Sequence, residues 1–197
     1  MKKDITVTKT KKETLTITKA KKKDVLAIYN LQKNQILDFN SKINHKEVTD
    51  NGFLVYELSI DDFLKAVSCR NTFLFVAKNK EDVVGYFLAY SLKKYIKLNP
   101  SFIEEIDVSG DILKENKVLF GKQLVSNRSF PKIGESLNKE MFKHTKSLGF
   151  TLYICEILEK PIRNKRSIEK HLSLNLKKIG THKDDEDLLW GIYSKKL

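Results

Sequence analysis

The chain has 197 residues, of which 41% are hydrophobic, enough for one domain with a core of its own and short for two. Its formal net charge of +12 comes from lysine: of 37 basic residues only Arg70, Arg128, Arg163 and Arg166 are arginines. Lysines scattered along the chain without interleaved aromatics read as a solvated surface and argue against nucleic acid, whose binding faces favour clustered arginine.

The opening Met1–Asp4 runs into Thr/Lys alternation with no apolar core of a signal peptide, and no apolar run reaches the length of a bilayer span, so a cytoplasmic protein without membrane contact is expected. Residues 1–12 read as an extra strand or a disordered arm, with Ile5–Thr8 a candidate hairpin partner of the alternating strand Glu13–Thr18. Asp24 is expected to cap a helix running to about Leu37, with Val25, Ile28, Tyr29, Leu31 and Ile36 on its apolar face. A polar loop, Asn40–Asp50, leads to Gly52–Tyr56. Ser59 followed by Asp61 and Asp62 starts a short helix to about Ser68. Thr72–Lys78 and Val83–Leu92 are strands joined by the turn Asn79–Asp82. Lys93–Asn116 reads as an irregular insert, and Lys117–Ser126 as the next strand. Ile133–Leu148 is an amphipathic helix stopped by Gly149. Thr151–Leu158 is a β-rich run, Arg163–Leu174 a second amphipathic helix, and Lys177–Gly180 and Leu188–Ser194 are closing strands.

Three groups of residues stand out on their own chemistry. Asn164, Ser167 and His171 recur at i, i+3 and i+7, which puts them on one face of their helix, opposite Ile168, Leu172 and Leu176. Glu156 is a lone carboxylate within the apolar run Leu152–Ile157; it is either functional or held in an ion pair or backbone bond. Arg128 and Lys132 lie before one helix start, and Arg163 and Arg166 flank another; they are either surface charges or anion ligands beside a helix N-terminus. The only cysteines, Cys69 and Cys155, are far apart and lack metal-ligand spacing, so Cys155 reads as a small buried apolar residue. His45, His144 and His182 sit among polar residues and form no ligand pattern, so no metal is assigned.

The order of elements, the phrase Val83-Val84-Gly85-Tyr86 ending the hairpin, and the segment Glu156–His171 together resemble the GNAT superfamily of N-acetyltransferases, from about Leu15 to Tyr193. The resemblance implies a single α/β (α+β) domain over 1–197: a mixed, mostly antiparallel twisted sheet flanked by helices, with 93–116 as an insert and strands splayed at an acetyl-CoA cleft. It implies acetyl transfer from acetyl-CoA, as co-substrate, to an amine by direct attack. The alternative is a catalytically impaired GNAT-like module that binds CoA or a protein partner. Backbone groups of Leu124 and Val125 would hold the pantetheine arm, and Ser129, Lys132, Ile133 and Gly134 the pyrophosphate, with Arg128, Arg163 and Arg166 supplying cations. In the family pattern of this loop only the last glycine, Gly134, is kept, and Lys132 stands at a glycine position. Asn164 and Ser167 would lie beside the pantetheine. His171, where the family usually has a tyrosine, would protonate the departing thiolate, and Glu156 would act as general base. The acceptor, a small-molecule or peptide amine, would meet the segments Asn40–Tyr56 and Lys93–Asn116. A homodimer is a further expectation.

Overall fold

The computed structural model describes residues 15–39, 45–108, 117–130 and 132–197. The expected strand or arm over residues 1–12 lies outside them. The elements in chain order are β1 (Leu15–Lys19), α1 (Val25–Lys33), α2 (His45–Asn51), α3 (Ile60–Ser68), β2 (Thr72–Asn79), β3 (Asp82–Ser91), α4 (Leu92–Leu98), α5 (Phe102–Glu105), β4 (Ile106–Val108), β5 (Val118–Ser126), α6 (Ile133–Ser147), β6 (Leu152–Lys160), α7 (Lys165–Ser173), β7 (Lys177–Lys183) and β8 (Leu189–Lys196).

One sheet holds every described strand, in the order β1-β2-β3-β5-β6-β8-β7-β4. All neighbours are antiparallel except β5 and β6. Helices cover both faces. On one, Ile28 of α1, Phe63 of α3, Tyr95 of α4 and Phe102 of α5 pack on Val76, Tyr86, Leu88, Phe120 and Ile154. On the other, Ile133, Leu137 and Met141 of α6 and Ile168 of α7 pack on Phe75, Phe87, Leu119, Tyr153 and Cys155. Each such buried side chain contributes about 1.5–3 kcal/mol relative to exposure. Gly85 permits the approach of α6, because a Cβ there would sit 2.5 Å from Ile133 Cγ2 and 3.0 Å from the Val125 carbonyl.

Several boundaries differ from the sequence expectation, each for a tertiary reason. Helix α1 stops at Lys33 instead of Leu37, because Ile36 bridges Leu54 and the Leu37 N–H donates to the Leu54 carbonyl. Asp24 makes no side-chain cap on α1. Its carboxylate instead accepts from the Lys21 N–H at 2.8 Å and pairs with Lys78 Nζ at 2.6 Å, tying the chain before α1 to β2. The segment read as loop from Asn40 contains α2, and the irregular insert contains α4, α5 and the edge strand β4, which pairs with β7. Ser91 caps α4 by accepting the Lys94 N–H at 3.3 Å.

Candidate active site

Strands β5 and β6 pair only from Val118–Leu152 to Gly121–Cys155. Beyond that point β5 stays with β3 and β6 stays with β8, so their facing edges separate. The cause lies in β5. Gly121 opposes Ala89 and Gln123 opposes Leu88, which leaves Lys122 as an extra, bulged residue that turns the strand. Gly121 is required there, since a Cβ would lie 2.7–2.8 Å from ring carbons of the buried Tyr153. The gap is a cleft of about 180 Å³, lined by residues 122–126 of β5, 156–158 of β6 and the inner face of α7. Residues 52–56 cross over it, held by Gln123 Nε2 donating to the Tyr56 carbonyl at 2.9 Å and Asn164 Nδ2 donating to that of Phe53 at 2.9 Å. Tyr56 stacks on Trp190, and both donate to Asp184 at 2.8 Å.

At the closed end of the cleft Glu156 is buried among polar partners. Its Oε1 accepts from the Tyr95 hydroxyl at 3.2 Å and lies 3.5 Å from Lys122 Nζ, while Oε2 faces His182 Nδ1 at 3.2 Å. His182 Nε2 reaches Glu105 Oε2 at 2.8 Å. Burial alone would raise the Glu156 pKa, but Lys122, His182 and Tyr95 together hold it below its usual value. Burial alone would lower that of His182, yet Glu156 and Glu105 hold it above the usual 6.5. Both ring nitrogens face carboxylate oxygens, an arrangement that favours a hydrogen on each, so the geometry is that of a carboxylate–imidazolium–carboxylate chain running from the cleft to the α5 edge, with Lys122 beside it. Glu156 shares its sheet face with Ile154 and Leu158, as alternation implied, and it is paired.

Helix α7 contributes the next group. Asn164 is its N-cap: the side-chain oxygen accepts the Ser167 N–H at 3.3 Å, while the amide nitrogen is spent on Phe53. Ser167 and His171 line the cleft. His171 Nδ1 lies 2.6 Å from the Ser167 carbonyl; a carbonyl only accepts, so Nδ1 carries the hydrogen and the neutral ring keeps its lone pair on Nε2. Nε2 makes no hydrogen bond among the described residues. Burial, helped by the Lys170 charge and countered only in part by Ser167, holds the pKa of His171 below 6.5. The resting ring is thus a proton acceptor at Nε2, which adds a condition to its expected role as an acid.

The open end of the cleft meets the N-terminus of α6. The first helical bond runs from the Ser136 N–H to the Lys132 carbonyl, which leaves the N–H groups of Ile133, Gly134 and Glu135 without intrahelical acceptors. Lys132, at a left-handed φ of 65°, stands in a conformation that favours glycine. Leu124, Val125, Gly134, Arg128 and Arg166 line the cleft. Other expected residues stand apart from it. The Ser129 N–H is taken by Asn127 Oδ1 at 3.0 Å, and Pro131 lies outside the described residues; Ile133 buries its side chain in the α6 core while its N–H belongs to the first turn. Arg163 is exposed and acts on Glu159 and Tyr193. In its place Lys170 lines the cleft, its Nζ only 3.1 Å from where a Gly134 Cβ would stand. Burial and then the Arg166 charge lower the Lys170 pKa from 10.5, against an opposing pull from Glu135, so Lys170 and Arg166 stand as two cations beside the first turn of α6. Lys170, Lys122, His182 and the role of Tyr95 are what sequence reasoning missed. Lys170 follows Arg166 by four positions on the His171 side of the helix, a signal that was available. Among the described residues no group of three His, Cys, Asp or Glu side chains could hold a metal, and no described helix is long and apolar enough to cross a membrane. Burial pushes the Cys155 thiol up to about 12, unsuited to a nucleophile.

No family model matches the sequence, and no curated relative does. Solved structures do match the fold. The ribosomal-protein-S18-alanine N-acetyltransferase of Escherichia coli superposes with a TM-score of 0.62 at 9% identity, over 93% of this chain and 94% of that one. The PaiA N-acetyltransferase of Thermoplasma acidophilum, in complex with coenzyme A, gives 0.62 at 13% identity, over 93% and 99%. YncA of Salmonella typhimurium, solved with acetyl-CoA as its cofactor, gives 0.59 at 14% identity, over 93% and 94%. At such identities the likeness is one of fold: the chain has the GNAT fold, with its mostly antiparallel eight-stranded sheet flanked by helices.

Proposed function

We propose that the chain is an acetyl-CoA-dependent N-acetyltransferase acting on an amine. The observation that carries this reading is the separation of β5 from β6 into a cleft that begins at Lys122 and Glu156 and opens onto the cation-ringed N-terminus of α6. The unpaired β5 edge at Leu124 and Val125 offers backbone donors and acceptors to an amide-bearing arm. The first-turn N–H groups of α6 at Gly134 and its neighbours, with Arg128, Arg166 and Lys170, suit a pyrophosphate. Gly134 matters because any side chain would compete with Lys170 for the space. These residues fit acetyl-CoA, which supplies an activated thioester.

Two protons must move when an ammonium becomes an amide, and the site holds two groups for them. Glu156, ionised and linked through His182 to Glu105, draws the first from the acceptor. His171 Nε2 takes the second from the attacking nitrogen and returns it to the departing sulfur, acting as base and then as acid. The acceptor approaches beneath residues 52–56, past Tyr56 and the α4–α5 insert. The support for these roles is position and protonation state.

The test is a thermal melt with and without acetyl-CoA, followed by isothermal titration, since a ligand selective for the native state raises the midpoint. Failure to bind at about millimolar acetyl-CoA refutes the reading. Binding without transfer to any amine makes the chain a CoA-binding module, the reading favoured by the left-handed Lys132 and the occupied Ser129 N–H.

A further inference from the structure

Lys122 has a setting that the proposed reaction leaves unused. It is the bulged residue of β5, next after the last residue paired with β6, and with Glu156 it flanks the closed end of the cleft. Its side chain is 17% exposed, and Nζ lies 3.5 Å from Glu156 Oε1. The same nitrogen stands over two aromatic faces, 5.4 Å from the Tyr95 ring centre and 5.9 Å from that of Tyr56. A carboxylate and two phenol faces around one nitrogen make a receptor for a primary ammonium. Here the ammonium inside it is the chain's own.

We propose that Lys122 is itself an acetyl acceptor, modified within its own molecule by the acetyl-CoA bound in the cleft. The proposal rests on the acetyl-CoA reading above. Glu156 takes one proton from the Lys122 ammonium and passes it toward solvent by way of His182 and Glu105. The freed Nζ lone pair bonds to the thioester carbonyl carbon, the carbon–sulfur bond breaks with its electrons on sulfur, and the thiolate takes the second amine proton. The products are Nε-acetyl-Lys122, CoA thiol and one proton. Acetylation removes the positive charge, so Glu156 loses the Lys122 ammonium as an ion-pair partner and keeps His182. Tyr95 is fixed for this role by its stack on Phe120, 3.7 Å between ring centres. Tyr56 is fixed by Trp190 and Asp184.

The experiment incubates the full chain with acetyl-CoA and maps acetyl groups by peptide mass spectrometry, alongside thermal melts. The expected result is one acetyl group on Lys122 ahead of every exposed lysine, at a rate per molecule independent of protein concentration. Glu156→Gln should slow that modification by about tenfold or more while acetyl-CoA still raises the midpoint. A second readout needs no turnover: CoA should protect Lys122, and not exposed lysines such as Lys23 or Lys183, from acylation by acetic anhydride. Stabilisation by acetyl-CoA with Lys122 unmodified, or modified no faster than the exposed lysines, overturns this proposal alone. So does labelling of Lys122 by anhydride that CoA does not reduce. Absence of any binding overturns the acetyl-CoA reading and this proposal with it.

Discussion

Replacing His182 with glutamine removes the cation that joins Glu156 to Glu105 while keeping a polar side chain in the buried site. His182 is 6% exposed, with Phe102 edge-on to its ring at 5.2 Å, so the ring is shielded from solvent. Breaking a buried ion pair by removing one partner costs about 3–5 kcal/mol. Glu156 keeps Lys122 at 3.5 Å and Tyr95 at 3.2 Å, and Glu105 is partly exposed and contributes little, so a cost at or just below the bottom of that range, about 2–3 kcal/mol, is expected here. For a chain of this length that is a fall in melting midpoint of roughly 4–12 °C. The pH dependence identifies the cause. The folded pKa of His182 is raised above 6.5, so its stabilisation is complete below that value and is lost as pH rises through the folded pKa. The gap between parent and variant should therefore be widest near about pH 6 and shrink toward about pH 9. Urea unfolding across that range measures it. A gap that stays constant, or widens with pH, would show that His182 acts as a neutral packing residue and would refute the imidazolium chain.

Other consequences follow from the same geometry. Arg166→Ala and Lys170→Ala should each weaken acetyl-CoA binding by about 1–3 kcal/mol in calorimetry, whereas Arg163→Ala, outside the cleft, should leave it unchanged. Because those cations are partly exposed, affinity should fall between about 0.1 M and about 1 M salt, and the double Arg166/Lys170 variant should lose most of that dependence. Lys132→Gly relieves a left-handed side chain at the cost of unfolded-state entropy, and a net gain of about 0.5–1 kcal/mol is expected in urea unfolding. His171→Ala should lower turnover by about 10²–10⁴ with little change in acetyl-CoA affinity. With the His171 pKa held below 6.5, parent turnover should drop as pH falls through that lowered value and the ring becomes charged before it can accept; initial rates across pH check this.

What the sequence made legible was whatever depends on local period and on spacing within one element. The hairpin turn at Lys80–Glu81, the face of α7 that presents Ser167 and His171, and the stop of α6 at Gly149 all follow from neighbours in the chain. Glu156 was visible too, since a carboxylate in an apolar run must be compensated. Its partners were hidden because each comes from a different element: Lys122 from the bulge in β5, Tyr95 from α4, His182 from β7. His182 in particular has Lys183, Asp184 and Asp185 beside it in sequence and reads as a surface residue. It is buried because β4 pairs with β7 and brings Phe102 and Glu105 against the ring, a contact formed inside a segment that sequence reading treated as an irregular insert. Asp24 stands at the N-cap of α1 without a side-chain cap for a related reason: a buried lysine on β2, Lys78, takes the same carboxylate.

The charge of the chain makes the same point at larger scale. Lysine is so common here that no single lysine stands out by type, and scarcity led to Arg163, which is exposed and outside the cleft lining. Position separates the lysines that matter from those that only solvate the surface. Lys170 is half-buried against Gly134, with its charged form disfavoured by burial and by Arg166 more than it is favoured by Glu135. Lys122 is enclosed by a carboxylate and two rings at the end of a cleft. The first residue is a cation only partly compensated and the second a cation already supplied with a carboxylate. That difference in electrostatic satisfaction, more than residue type, is why one is set at the phosphate end of the proposed site and the other at the amine end.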